Sequence, residues 1–113
     1  NGPISSITPN LSLSGDVTGL SGGYNLLVPT TLTGIGSGLV LDVNIKSGGI
    51  GVTSINTYGD NYAIGDTLLI QGSLIGGTDG VNDVTIEVLS IDVEISSYYQ
   101  DGVFIWNIRK PIL

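Results

Sequence analysis

Between Leu39 and Lys46 the chain alternates without interruption: Leu39, Leu41, Val43 and Ile45 fall on one parity, Val40, Asp42, Asn44 and Lys46 on the other. A period of two predicts an extended strand with one buried face and one wet face. The Ser47–Gly48–Gly49 stretch that follows supplies the positive φ values of a tight turn, so "IGVTSINTY" should return as the second strand of a hairpin. Val52 and Ile55 lie three apart, which breaks the alternation and predicts a bulge near Thr53–Ser54. Leu68 and Ile70 then point inward from "DTLLIQG" after a turn at Asp60–Asn61.

Further on, Val84, Ile86 and Val88 share one parity while Leu89, Ile91, Val93 and Ile95 share the other. A strand that changes its buried face midway bends, bulges or passes from one sheet into a second. The longest stretch free of Gly and Pro, Val81 to Asp101, keeps a period of two and not 3.6, so no helix is predicted. "VFIWNI", Val103 to Ile108, is apolar on both parities and needs cover on two sides. "YNLLVPTTLTG" reads as a strand interrupted by Pro29, which belongs at an edge or a bulge because proline donates no ladder hydrogen bond. These elements predict an all-β protein, a β-sandwich or distorted small barrel of short antiparallel strands. Residues 1–22 read as an extended arm or connector, and residues 23–113 as one all-β domain.

Composition narrows the chemistry. The 113 residues include no Cys, no Met and no His. Disulfides and thiolate metal sites are therefore absent, as are the usual general base and the commonest zinc ligand. A net charge of −7, with Lys46, Arg109 and Lys110 as the basic residues, gives no footprint for nucleic acid. Charged residues make up 12% of the chain, against about 25% in ordinary globular domains, so Ser, Thr, Asn and backbone solvate much of the surface or neighbouring chains cover it. No apolar run approaches the ~18 residues of a membrane-spanning helix. A start at Asn1 reads as a processed product or a piece of a longer polypeptide.

From Gly36 to Val88 the order "GSGLVLDVNIKSGGIGVTSINTYGDNYAIGDTLLIQGSLIGGTDGVNDVTIEV" resembles a module met in structural proteins of tailed phages and large DNA viruses. The matching positions include Gly36, Gly38, Asp42, Gly49, Tyr62, Gly65, Asp66, Gly72, Gly76 and Gly77. The pattern is departed from at Asp60–Asn61 and at Ile75, and "LSGDVTG", Leu13 to Gly19, is similar to an element that introduces such modules in tail fibres. The resemblance implies a virion fibre, spike or capsid-associated protein, present in the extracellular particle and assembled from identical subunits, with a trimer expected for a fibre.

Several stretches invite a chemical reading. Gly65, Asp66, Gly76 and Gly77 are read as structural turns, Asp66 accepting backbone N–H groups at a strand entrance. Asp79, Asn82 and Asp83 in "GGTDGVND" offer oxygen ligands for a hard cation such as calcium, but their spacing matches no EF-hand, and a hinge between strands is the preferred reading. "GIGSG", Gly34 to Gly38, precedes a strand and lacks the helix that a phosphate-binding loop aims at its ligand. Asp92 and Glu94 share one side of a strand beside Ser90 and Ser96, the pattern of a solvated face and not of a general acid and base. No catalytic residue and no cofactor is therefore expected.

The aromatic residues gather near the C-terminus, where Val103, Phe104, Ile105, Trp106 and Ile108 are read as an interface with identical subunits or other virion proteins. The leading expectation is a non-enzymatic virion structural protein, acting by subunit assembly and host attachment. The alternative is a carbohydrate-binding module that recognises a host glycan through exposed Tyr or Trp.

Overall fold

The computed structural model describes the backbone of residues 1–95, 98–100, 103–105 and 108–112, and side chains as far as Asp92. The protein is all-β, with two antiparallel sheets packed as a small sandwich. The strands are β1 (Leu11–Gly15), β2 (Gly22–Leu27), β3 (Thr30–Thr31), β4 (Ser37–Lys46), β5 (Gly49–Asp60), β6 (Thr67–Ile70), β7 (Val84–Val88), β8 (Ile91–Ile95), β9 (Tyr98–Gln100), β10 (Val103–Ile105) and β11 (Ile108–Ile112). One sheet has the order β1-β7-β6-β3 and the other β2-β4-β5.

The alternation read from the sequence sets the two inner faces. Leu39, Leu41, Val43 and Ile45 of β4 are buried against Leu68 and Ile70 of β6 and Val84, Ile86 and Val88 of β7. β4 and β5 form the expected hairpin, with Ser47 (φ 53°) and Gly48 (φ 78°) at the two central positions of its turn. Two positive φ values in succession match the right-handed twist of the flanking strands. The β4–β5 register slips twice: Asp42 pairs with Ser54 and Val43 with Val52, which leaves Thr53 over, and Val40 pairs with Thr57 and Leu41 with Ile55, which leaves Asn56 over. The first slip is the bulge expected near Thr53–Ser54.

Pro29 lies between β2 and β3, where the chain leaves the edge of one sheet and joins the edge of the other. β2 carries its own bulge between Tyr24 and Leu27. The Asp42 carboxylate holds it, accepting the Leu26 N–H at 2.8 Å and the Asn56 side-chain amide at 2.7 Å. The only helical turn among the described residues is a 3-10 turn, Gly72–Ile75, within the β6–β7 connection.

Residues 1–22, expected as an arm or connector, lie against the sandwich. Ile4 and Val17 are buried in the core, and β1 pairs along β7 from Leu11↔Val88 to Gly15↔Val84. Gly2 and Tyr62 exchange backbone hydrogen bonds at 2.9 and 2.8 Å, and the Ile4 N–H donates to the Tyr58 carbonyl at 3.0 Å.

The change of parity after Val88 is a change of sheet. β7 ends there, and β8 pairs with β11 while β9 pairs with β10. Among the described residues these four strands form a two-stranded ribbon whose ladders involve no strand of the sandwich. Its root is fixed by an Ile4↔Ile91 bridge and by the Asp92 N–H on the Pro3 carbonyl at 3.0 Å. The molecule measures 62 × 23 × 20 Å, with a radius of gyration of 16.5 Å where a globular chain of this length has about 13 Å. The longest strand, β5, has 12 residues and reaches about 40 Å, so the long axis extends past the sandwich into the ribbon.

Candidate functional site

Three local structures carry the residues singled out in the sequence, and the first is centred on Tyr62. Its ring is buried, and its hydroxyl accepts the Leu39 N–H at 3.2 Å. Gly36 and Gly59 flank the ring so closely that a Cβ on either would overlap it, and Gly59 also has φ 69°. Glycine at these two positions is thus a packing requirement of the tyrosine. Burial raises the Tyr62 pKa above its ordinary 10.0; the Leu39 N–H opposes the shift and the nearby Asp66 charge adds to it.

Asp66 closes the turn into β6. Its Oδ2 accepts the Ala63 N–H at 2.9 Å, and its own N–H donates to the Ala63 carbonyl at 3.0 Å. Gly65 has φ 93° and donates to the Val88 carbonyl at 2.8 Å, while the Val88 N–H donates to the Asp66 carbonyl at 2.9 Å. The carboxylate lies against Gly34, where a Cβ would collide with it.

The β6–β7 connection is the second structure. Asp83 Oδ1 accepts the Gly72 and Gly80 N–H groups at 2.8 and 3.0 Å, and Asp79 Oδ1 accepts the Ser73 N–H at 2.8 Å. Asn82 accepts the Thr78 N–H at 2.9 Å and donates to the Asp16 carbonyl at 2.8 Å. Gly76 takes φ 81° at the end of the 3-10 turn and sits beside the Tyr24 hydroxyl, and Gly77 packs on the Asn82 side chain. The Ser73 backbone and hydroxyl bonds lower the pKa of exposed Asp79 below its ordinary 3.8. Asp79, Asn82 and Asp83 are thereby brought into one loop, but each aims a side-chain oxygen at the loop's own N–H groups. Among the described residues no three His, Cys, Asp or Glu converge as a metal site.

The third structure went unforeseen in the sequence. A groove of about 200 Å³ runs between Ser6, Thr8 and Asn10 on one wall and the β5 segment Val52–Ile55 with Tyr58 on the other. Its N-terminal wall is held by a buried polar clasp. The Asn10 side-chain amide donates to the Ser5 carbonyl at 2.7 Å, the Leu89 N–H donates to the Asn10 carbonyl at 2.9 Å, and the Ser90 hydroxyl donates to the Pro9 carbonyl at 3.2 Å. The parity switch at Val88–Leu89 marked this corner in the sequence, but nothing local marked the partner that occupies it.

Of the residues expected at an interface, Val103, Phe104 and Ile105 form β10 opposite Gln100, Tyr99 and Tyr98, and Ile108 opens β11 opposite Ile95. Their side chains, the whole of Trp106, and the side chain of Glu94 lie outside the described residues. Asp92 lies at the ribbon root, paired with Pro111. No helix among the described residues is long and apolar enough to cross a membrane. No family model, no curated protein and no solved structure matches the chain.

Proposed function

We propose that this chain is a non-enzymatic structural component of a virus particle, a fibre, spike or capsid-associated element that works by assembling with further subunits and presenting a surface for attachment to a host. The observation that carries the assembly reading is the C-terminal ribbon, a two-stranded ladder in which Ile, Val, Tyr and Phe positions stand beside Asp92, Glu94, Arg109 and Lys110. Two strands by themselves are marginal in water, and such a ribbon gains stability when a third strand or another face covers it. The virion setting rests on the resemblance over Gly36 to Val88. The carboxylates of Asp42, Asp66, Asp79 and Asp83 support a non-chemical role, because each fixes backbone at a bulge or turn.

Light scattering over a range of concentrations tests assembly. A mass at a multiple of the single chain, reduced by Trp106→Ala, is expected; a monomer at every concentration would refute it.

A second reading, a carbohydrate-binding module, is favoured by the groove, whose Ser, Thr and Asn side chains and half-exposed Tyr58 ring are suited to hydroxyl-rich ligands. A glycan array distinguishes it: specific binding that disappears in Tyr58→Ala or Trp106→Ala, with the fold retained, replaces assembly as the primary role.

A further inference from the structure

We infer that the groove between the N-terminal segment and β5 binds one uncharged sugar ring at the end of a glycan, laid against Tyr58 with a ring hydroxyl donating to Asn10 Oδ1. The inference rests on the carbohydrate reading and names its site and its class of sugar. The central group is Asn10, which is 9% exposed and lines the groove. Its Nδ2 donates to the Ser5 carbonyl at 2.7 Å, which identifies the oxygen end of the amide and turns it away from Ser5. No buried side-chain oxygen or nitrogen among the described residues is left without a partner, and no protein donor among them meets Asn10 Oδ1. That oxygen therefore opens to solvent where Asn10 lines the groove, a fixed acceptor in a nearly closed corner.

The facing wall is made by the first β5 bulge. The slip that leaves Thr53 over turns two consecutive side chains, Thr53 and Ser54, to the exposed side between half-buried Val52 and Ile55. An unbroken strand would send one of the two inward. The Ser5 and Ser90 hydroxyls behind the N-terminal wall are engaged, Ser5 accepting the Ile7 N–H at 3.0 Å and Ser90 donating to the Pro9 carbonyl at 3.2 Å. Those of Ser6, Thr8, Thr53 and Ser54, which line the groove, make no hydrogen bond among the described residues. Each can donate and accept, as the hydroxyls of a sugar do, and the Tyr58 ring offers a flat apolar surface for the C–H face of a sugar ring.

Size and charge narrow the ligand. A volume of about 200 Å³ is below the roughly 300 Å³ at which sites for drug-sized molecules begin, so the groove takes one ring and not a chain of them. Acidic sugars are held by Arg or Lys. None of the lining residues is basic, and Lys46, the basic side chain among the described residues, stands at the β4–β5 turn opposite Gly49. A chain of net charge −7 further repels a carboxylated or sulfated glycan. Neutral hexoses and N-acetylhexosamines remain.

The full chain is tested on a glycan array carrying the same glycans with neutral, sialylated and sulfated ends, alongside Thr53→Val and Tyr58→Ala, with circular dichroism to verify the fold. Binding confined to neutral ends is expected, weakened about tenfold by Thr53→Val through loss of one hydrogen bond and further by Tyr58→Ala. Titration with monodeoxy analogues of the methyl glycoside of the bound terminal sugar then reads the buried acceptor. Removal of one hydroxyl is expected to weaken binding far more than removal of the others, since it leaves Asn10 Oδ1 unpaired. No binding to any glycan overturns the carbohydrate reading and the inference together. Preference for sialylated or sulfated ends overturns the neutral ligand and leaves the carbohydrate reading standing. Neutral binding unchanged in folded Thr53→Val and Tyr58→Ala places the sugar elsewhere and overturns the groove; equal binding of all monodeoxy analogues overturns the contact with Asn10.

Discussion

At Tyr62 a phenol is enclosed by the fold, its hydroxyl supplying the acceptor for the Leu39 N–H and its ring filling the space left by Gly36 and Gly59. Tyr62→Phe keeps the ring and strands that buried N–H, so urea unfolding should show a loss of about 1–3 kcal/mol. Gly36→Ala forces a methyl into the ring and should cost more in the same assay. The raised pKa adds a pH signature. In the unfolded chain the phenol ionises near 10.0, in the folded chain above it, so the stabilising contribution is complete below that value and is lost as pH rises through the folded pKa. The urea midpoint should therefore fall above about pH 10, less steeply in Tyr62→Phe. Asp79 behaves oppositely: its lowered pKa stabilises above about 3.8, and that contribution disappears as pH falls through the folded value. Asp79→Asn should flatten the acid limb of the stability profile.

Among elements, the β4–β5 hairpin is the one whose local chemistry and tertiary role coincide. Gly48 has φ 78° and open space where a Cβ would stand, so Gly48→Ala tests conformation without collision. Thermal or urea unfolding should register a loss of about 1 kcal/mol, the cost of holding an L-residue in the left-handed region. The bulges in β5 depend on contacts beyond the hairpin, since Asp42 ties Asn56 of β5 to Leu26 of β2. The β6–β7 connection is likewise an element shaped by its side-chain oxygens, since Asp79, Asn82 and Asp83 each accept N–H groups of the same loop.

For the molecule as a whole, a net charge of −7 opposes the meeting of copies. Screening shortens that repulsion to about 8 Å at physiological ionic strength. Assembly of copies that each carry −7 should therefore raise the average mass by light scattering between low salt and about 0.15 M salt. A mass that falls over the same range would assign the contact to ion pairs of Arg109 and Lys110.

The alternation of Leu39 to Ile45, the inward Leu68 and Ile70, the turn at Ser47–Gly48 and the break of parity after Val88 were all legible in the chain. Each depends on residues a few positions apart, and strand period and turn geometry are local properties. The acidic turn at Asp66 was legible for the same reason: a carboxylate next to Gly65 reaches the N–H of Ala63, three residues away. Partner choice was not. That β1 lies beside β7, that Ile4 and Val17 complete the core, that Gly36 and Gly59 stand against one tyrosine, and that Ser5, Asn10 and Ser90 build a wall of a groove follow from contacts between distant segments. Many pairings satisfy the same alternation, and only packing the two sheets face to face selects among them.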